Sequence, residues 1–315
     1  MGSLLAVAHN SSQDISLAIV GSGGLGTPAA WTLARNYSGK AKLRVHLIDP
    51  DQVELSNLNR QVLFKNADIA KSKSERLAKE LESVNPEISW EASTERLSKD
   101  NIQTLLSPTS YVIDGTDDVE IKFLISDFCT INNIAFCYAG VAGSKGVLLS
   151  RDKEGACLRC LFGDFKKEDF ETQTTTCKNE GIIGPVAGHI GTLQALECLE
   201  FLSGRRQSKS KYIRFDLNTL EHSQSFISKS KDCPICNSNS ETELDLSDQE
   251  CPMTFVYTKV ALEELKGGDL LSVSFSNEDS SRNVEASCQE EGYSIISASK
   301  QTSNGNWNLK IQAKP

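Results

Sequence analysis

A chain of 315 residues with 39% hydrophobic and 24% charged side chains has the composition of an ordinary folded protein and enough length for two domains. Its net charge of -9 excludes a nucleic-acid backbone as the main partner, which requires a basic face. No apolar run is long enough to span a bilayer, residues 1–8 lack the basic start and apolar core of a signal peptide, and ten cysteines without a leader point to metal binding and thiol chemistry in the cytoplasm rather than to disulfides.

Residues 1–14 are polar and carry few signals, and the stretch after them organises the chain. Ile15 to Val20 is an apolar, β-branched run that reads as a buried parallel strand. Gly21, Gly23 and Gly26 follow in G-x-G-x-x-G spacing, with Gly24 beside them, and open a helical pattern through Ala29, Trp31 and Leu33. Such glycines allow a tight turn and let phosphate oxygens approach backbone N–H groups at the positive end of a helix. A second strand, Leu43 to Ile48, ends in Asp49, where an acidic residue takes a ribose hydroxyl. By themselves these features describe a mononucleotide site of unspecified kind and favour NAD over ATP. The next stretch, Ser56-Asn57-Leu58-Asn59-Arg60-Gln61, changes the reading. An Arg beside a nucleotide neutralises phosphate charge with its planar fork of donors, whereas a dehydrogenase works at a nicotinamide ring.

At these residues the sequence resembles the MoeB/ThiF/HesA family, bacterial relatives of ubiquitin-activating enzymes that adenylate the C-terminal glycine carboxylate of a small ubiquitin-like protein. The resemblance implies ATP over Gly21, Gly23, Gly24 and Gly26, Asp49 on the ribose, and Asn57, Arg60, Gln61 and Lys73 about the phosphates. Lys73 lies thirteen residues after Arg60, the family's spacing, which Lys71 does not match. Both lysines sit near the start of a helical pattern running from Ala67 to Val84, where most lysines simply cover a solvated face. A third strand, Ile88 to Ala92, and a short helix near Lys99 to Leu106 lead to Tyr111-Val112-Ile113-Asp114-Gly115-Thr116-Asp117-Asp118. This run puts carboxylates at the carboxyl edge of a parallel sheet, where doubly wound folds bind ligands. The resemblance makes Asp117 the Mg²⁺ residue; Asp118 stands where Asn is more usual, and the alternative for Asp117, compatible with the metal role, is that it caps the helix that begins near Val119. Family members commonly reach the partner subunit's ATP with an N-terminal Arg, whereas no Arg precedes Arg35 here. The resemblance implies a homodimer.

Phe136 to Val141 and Val147 to Ser150 read as further strands. Cys157-Leu158-Arg159-Cys160 is then answered by Cys233-Pro234-Ile235-Cys236, and two such CxxC knuckles supply the four thiolates of a closed, structural zinc shell tying the two segments together. Two independent redox motifs are the alternative. Between the knuckles, Phe162 to Pro185 is polar and loop-like and contains Cys177. By resemblance Cys177 is the family's mobile cysteine, able to bond covalently with the carrier protein or dispensable. Cys129, Cys137 and Cys198 fall in apolar patterns that belong to a core. A helix from Pro185 to Leu202 turns Leu193, Leu196 and Leu199 to its apolar side, and strands Tyr212 to Leu217 and Ser223 to Ile227 follow a basic turn. A short polar linker, Asn237 to Ser240, separates residues 1–240 from residues 241–315.

The tail reads strand, helix, strand, helix, strand, strand: a small α/β module. Its marker is Glu250-Cys251-Pro252 ahead of an amphipathic helix, Met253 to Leu265, and a Gly267-Gly268 stop. Pro at the first helical position would leave Cys251 at the N-cap, where a thiolate is favoured. The layout resembles the TusA/SirA sulfur carriers, whose Cys-Pro cysteine holds a persulfide; Thr254 stands where they usually carry a second Pro, and an unreactive docking domain is the alternative.

The expected fold is therefore α/β: a Rossmann-like doubly wound sheet with a structural zinc knuckle, followed by a small TusA-like α/β sandwich. The expected activity is ATP- and Mg²⁺-dependent adenylation of a ubiquitin-like sulfur carrier ending in Gly-Gly, then sulfur transfer from a persulfide donor such as a cysteine desulfurase, with Cys251 and Cys177 as the thiols. Adenylation of a peptide or a tRNA-bound group, a nicotinamide-dependent oxidoreductase, and a non-catalytic zinc scaffold for sulfur-relay proteins are the other readings.

Overall fold

The computed structural model describes residues 14–39, 41–163, 183–205, 209–236, 241–249, 252–265, 269–300 and 306–314. Cys177, Cys251 and the linker at 237–240 lie outside them. The chain divides into two compact units, Met1–Lys229 and Ser230–Pro315.

In chain order the first unit runs β1 (Ile15–Val20), α1 (Gly26–Asn36), β2 (Leu43–Ile48), α2 (Lys73–Glu82), β3 (Ile88–Ser93), α3 (Ile102–Leu106), β4 (Tyr111–Asp114), α4 (Val119–Ile131), β5 (Ala135–Ala142), β6 (Lys145–Arg151), α5 (Leu158–Phe162), α6 (Gly184–Leu202), β7 (Ser210–Asp216) and β8 (Glu221–Ile227). The strands form one sheet in the order β3-β2-β1-β4-β5-β6-β7-β8. The first five are parallel and the last three run antiparallel to their neighbours. Leu17 and Ile19 pack on one face with Leu33 of α1, Leu77 of α2 and Cys198 of α6, while Ala18 and Val20 pack on the other with Leu106 of α3 and Ile125 of α4. A strand with helices on both faces needs apolar residues at every position, which is why β1 is continuously apolar rather than alternating. The chain leaves β1 for β2 on one side and comes back to β4 on the other, so a crevice opens at the carboxyl ends of β1 and β4.

Two helical expectations change. The helix expected over Ala67 to Val84 begins only at Lys73. Asn66–Asp68 is instead a 3₁₀ turn, Ala70 takes a positive φ of 66°, and Ser72 caps α2 by accepting the N–H of Glu75. That delay sets Lys73 at the first helical position, against the crevice. In α6, Leu193 and Leu196 are only partly buried; Val186, Ile190, Gln194, Cys198 and Leu202 are the residues turned inward with Leu199.

The second unit contains β9 (Glu241–Asp245), α7 (Met253–Glu264), β10 (Leu270–Phe275), α8 (Glu278–Glu290), β11 (Ser294–Lys300) and β12 (Trp307–Gln312), the order the pattern predicts. The sheet order is β11-β12-β10-β9. Leu271, Val273, Phe275, Leu309 and Ile311 meet Leu262 of α7 and Val284 and Cys288 of α8 in its core. Pro252 occupies the N-cap of α7 rather than its first helical position. The helix also turns Thr254, Thr258 and Leu262 inward and leaves Met253, Val256, Tyr257 and Val260 exposed.

Candidate nucleotide site and metal centre

The turn after β1 uses its glycines in two ways. Gly21 has φ +90°, and a Cβ there would lie 2.7 Å from backbone atoms of Gly115; a Cβ on Gly26 would lie 1.7 Å from the carbonyl oxygen of Gly21. Gly21 is demanded by the close passage of the turn against the end of β4, and Gly26 by the closeness of the turn's own backbone. Gly23 and Gly24 are not. A Cβ on Gly23 meets nothing closer than 3.7 Å, and one on Gly24 nothing closer than 3.4 Å. Both line a cavity of about 1010 Å³ over the crevice, at the upper end of the range for ligand sites, roughly 300–1,000 Å³. Their missing side chains keep open space that the fold does not fill.

The acidic end of β2 lies at the same place. Asp49 is buried, and its carboxylate accepts the N–H groups of Ser22 and Asp51. Burial pushes the Asp49 carboxyl above its ordinary value of 3.8, against the pull of those donors and of the Lys73 charge. Lys73 is buried and donates from Nζ to Asp51 Oδ2 at 2.9 Å, while its own N–H donates to the Asp51 carbonyl. Lys71 is exposed, 3.7 Å from Asp68, and lies outside the cavity lining. Arg60 is half-buried on the cavity wall, steadied by donation to the Ser56 carbonyl at 2.9 Å and to Asn59 Oδ1 at 3.1 Å. Asn57 and Gln61 are buried beside it, and Asn57 Oδ1, Gln61 Oε1 and Ser22 Oγ have no hydrogen-bond partner among the described residues. Buried polar atoms left open next to an unfilled cradle suit a polar ligand. Of the nucleotide residues named from the sequence, Gly21, Gly23, Gly24, Asp49, Asn57, Arg60, Gln61 and Lys73 therefore line one cavity, whereas Gly26 does not and is packed within the turn.

At the end of β4, Asp118 caps α4 by accepting the N–H groups of Glu120 and Ile121. The cap is therefore Asp118 and not Asp117, which lines the cavity, exposed and without a hydrogen bond or ion pair among the described residues. The sequence did not single out the groups that hold this edge. Asp114 is buried; one of its carboxylate oxygens accepts both the N–H and the Oγ1 of Thr116, and the other accepts Lys122 Nζ at 3.1 Å. Gln194 of α6 donates to the carbonyls of Asp114 and Cys137 from the opposite layer. Asp51 was missed likewise, although its place two residues after Asp49 was a signal.

The four knuckle cysteines come together, with the Sγ atoms of Cys157, Cys160, Cys233 and Cys236 all within 4.8 Å of one another. Tetrahedral zinc with Zn–S bonds of about 2.3 Å requires sulfur separations of about 3.8 Å, and Cys157 and Cys160 stand 3.9 Å apart. The cluster can hold a metal ion. Its first knuckle is anchored on α4: Arg159 clasps Asp127 with Nε at 2.9 Å and Nη2 at 2.7 Å, and the Leu158 N–H donates to Ser126 Oγ. Cys129, Cys137 and Cys198 are fully buried, as their apolar patterns predict, and burial pushes the Cys129 thiol up, away from reactivity.

An open, largely parallel α/β sheet with a glycine-lined cavity at its topological switch point defines a Rossmann-like nucleotide-binding protein. The chain belongs to the ThiF family, whose model matches residues 9–236, and residues 242–313 match the model of Sulfurtransferase TusA. The sulfur carrier protein ThiS adenylyltransferase of Escherichia coli K12 is 33% identical over 229 residues, which cover 72% of this chain and 88% of that protein. The adenylyltransferase and sulfurtransferase MOCS3 of Anopheles gambiae is 32% identical over 266 residues, 83% of this chain but 58% of that protein, so the chain spans a little over half of that relative. Among solved structures, Escherichia coli MccB with ATP shares the fold with a TM-score of 0.61 at 22% identity, over 71% of this chain and 66% of the other. Among the described residues, no helix is long and apolar enough to cross a membrane.

Proposed function

We propose that this chain adenylates the C-terminal glycine carboxylate of a ubiquitin-like sulfur carrier protein with ATP and then serves its conversion to a thiocarboxylate. The observation that carries this reading is the meeting, in one cavity, of an unfilled glycine cradle, two phosphate-suited cations (Arg60 and Lys73) and the carboxylate of Asp117, unbonded among the described residues. The names of the ThiS adenylyltransferase and MOCS3 relatives agree with it. ATP phosphates would lie along Gly23 and Gly24, with Asp49 on the ribose and Asn57, Arg60, Gln61 and Lys73 donating to phosphate oxygens. Asp117 would hold Mg²⁺, which neutralises phosphate charge when bound. The carrier's carboxylate oxygen forms a bond to the α-phosphorus as the bond to the pyrophosphate oxygen breaks. Pyrophosphate leaves with the bonding electrons. The nucleophile is already an anion, so the chain's task is positioning and charge neutralisation rather than proton removal.

Residues 1–240 would form the adenylating domain, with zinc in the closed Cys157, Cys160, Cys233 and Cys236 shell as a structural staple. Residues 241–315 would form the sulfur-transfer domain; the spans of the two family models support this division. A persulfide on Cys251, loaded by a cysteine desulfurase or similar donor, would attack the acyl carbon through its terminal sulfur and displace AMP. The resulting acyl disulfide is opened to the thiocarboxylate by a thiol, either Cys177 or an external reductant. A cytoplasmic homodimer completes the reading, in line with the family resemblance. The test is ATP–pyrophosphate exchange by the purified protein with Mg²⁺ and carriers ending in Gly-Gly, offered one at a time. Exchange that requires one carrier supports the reading; exchange with a peptide or an RNA-bound group alone replaces the substrate, and absence of ATP binding overturns the enzyme.

A further inference from the structure

Adenylation of a carboxylate must bring two anions together, so a cation is needed beside the incoming carboxylate as well as along the phosphates. Among the described residues, five cationic side chains line the cavity: Arg60, Lys73, Arg96, Lys122 and Lys145. Only Lys73 and Lys122 among them are buried. Lys73 stands on the β2 side, near the ribose acid. Lys122 stands on the other side, on the first turn of α4 directly after Asp117 and Asp118, with its Nζ 2.6 Å from the Ala139 carbonyl of β5. The ammonium reaches the end of β4 through Asp114, three residues before Asp117, and both Lys122 and Asp117 line the cavity. It uses two donors, to Asp114 Oδ2 and Ala139 O, and keeps a third.

The part of the cavity beyond Lys122 has a different lining. The Tyr138 ring lies 5.0 Å from Lys122 Nζ and meets Phe162 edge-on at 5.9 Å. Gly140 and Val147 continue this wall, and a Cβ on Gly140 would come 2.9 Å from the Tyr138 hydroxyl. Tyr138, Phe162, Gly140 and Val147 thus give the cavity a largely apolar stretch of lining, with Lys145 as its one charged member among the described residues, next to a buried ammonium. Fold stability alone does not account for that ammonium. A buried ion pair gains little over apolar residues of the same size, because desolvation offsets the attraction.

We propose that Lys122 binds the terminal carboxylate of the substrate tail, so that it enters past Tyr138 and stops beside the α-phosphate; this rests on the adenylation reading above. The assignment makes Lys122 a substrate-specificity residue that reads a free carboxylate, distinct from the phosphate cations Arg60 and Lys73.

The experiment compares a labelled peptide ending in Gly-Gly with its C-terminal amide, both titrated by anisotropy into full-length protein holding Mg²⁺ and a non-hydrolysable ATP analogue. The wild type should bind the carboxylate at least about tenfold more tightly than the amide. Lys122→Met should reduce that preference below about threefold, and Lys122→Arg, which keeps a cation, should retain most of it. Because Lys122→Met leaves Asp114 unpaired, the double variant Lys122→Met/Asp114→Asn is measured beside it and should show the same loss. Affinity for the nucleotide analogue should stay within about threefold throughout. A preference that survives in both variants, its absence in the wild type, or a parallel fall in nucleotide affinity would overturn the assignment. Pyrophosphate exchange, run on the same protein preparations with ATP in place of the analogue and Gly-Gly carriers in place of the peptide, separates the two claims: discrimination without exchange leaves Lys122 in place and removes the adenylation reading.

Discussion

The nucleotide crevice and the N-terminal end of α7 both carry a short sequence marker, a glycine motif in one and Cys-Pro in the other. They differ in how far the surrounding chain is committed to that marker. Around the crevice, Asp49 takes two backbone N–H groups, Asp51 binds Lys73 twice, and Asp118 caps α4 so that Asp117 is left over. Asp49, Lys73 and Arg60 are held by neighbours that have structural obligations of their own. At α7 the helix begins after Pro252 with no side-chain cap, and the residues just beyond it, Met253, Val256, Tyr257 and Val260, face outward at 42–49% exposure. The lesson is that a site built on the ends of buried strands is positioned by the fold, whereas an exposed helix start takes its meaning from whatever covers it.

That contrast can be broken most sharply at Asp117. It has no bond to lose among the described residues, so Asp117→Ala should abolish pyrophosphate exchange, by about a thousandfold or more, with the melting temperature unchanged. A large drop in melting temperature would show that the edge of β4 depends on it. Next come the glycines. Gly21→Ala should cost about 3 kcal/mol or more in denaturant unfolding, because it combines a positive φ with a backbone collision. Gly23→Ala should fold normally and weaken ATP binding by about tenfold or more, since it fills space kept only for a ligand. Equal effects at the two positions would erase the distinction between a fold glycine and a ligand glycine.

The metal centre should give an intermediate effect. The purified protein should contain about one zinc per chain by elemental analysis, and Cys233→Ala should lose it together with several kcal/mol of stability. Retention of full stability without zinc would contradict a structural role. The smallest expected effect is a pH dependence at Asp49. Its carboxyl is raised above 3.8 in the folded chain, so the folded state binds the proton more tightly and the penalty of ionising it grows as pH rises through and above that value. The stability of Asp49→Asn relative to wild type should therefore improve from pH 4 to pH 7, by about 1 kcal/mol at most, while ATP binding is lost. A difference that moves the other way would mean that the Ser22 and Asp51 donors outweigh burial.

Much of this was legible because it is local. The continuous apolar run of β1, the G-x-G-x-x-G turn and the acidic end of β2 are obligations of neighbouring residues, and the sequence carries them directly. The paired CxxC knuckles were legible because four thiolates have few other uses. Lys122 and Gln194 were not, because each lies in a helix whose pattern looks like ordinary packing, and only the tertiary arrangement turns them toward Asp114. The start of α2 was misjudged for a related reason. Periodicity continues through Ile69, but the positive φ of Ala70 and the Ser72 cap decide where the helix begins. The outward apolar face of α7 escaped because periodicity does not say which side of a helix meets the sheet.

The central claim is that the crevice joins a carrier's carboxylate to the α-phosphorus of ATP, and an oxygen label tests it directly. A Gly-Gly carrier whose terminal carboxylate carries ¹⁸O is incubated with the protein and Mg·ATP, trapped with hydroxylamine, and the released AMP is weighed by mass spectrometry. One ¹⁸O in AMP, absent with Asp117→Ala, is the predicted result, because the carboxylate oxygen bonded to phosphorus stays there when the acyl carbon is attacked. Unlabelled AMP formed at the wild-type rate would contradict the account.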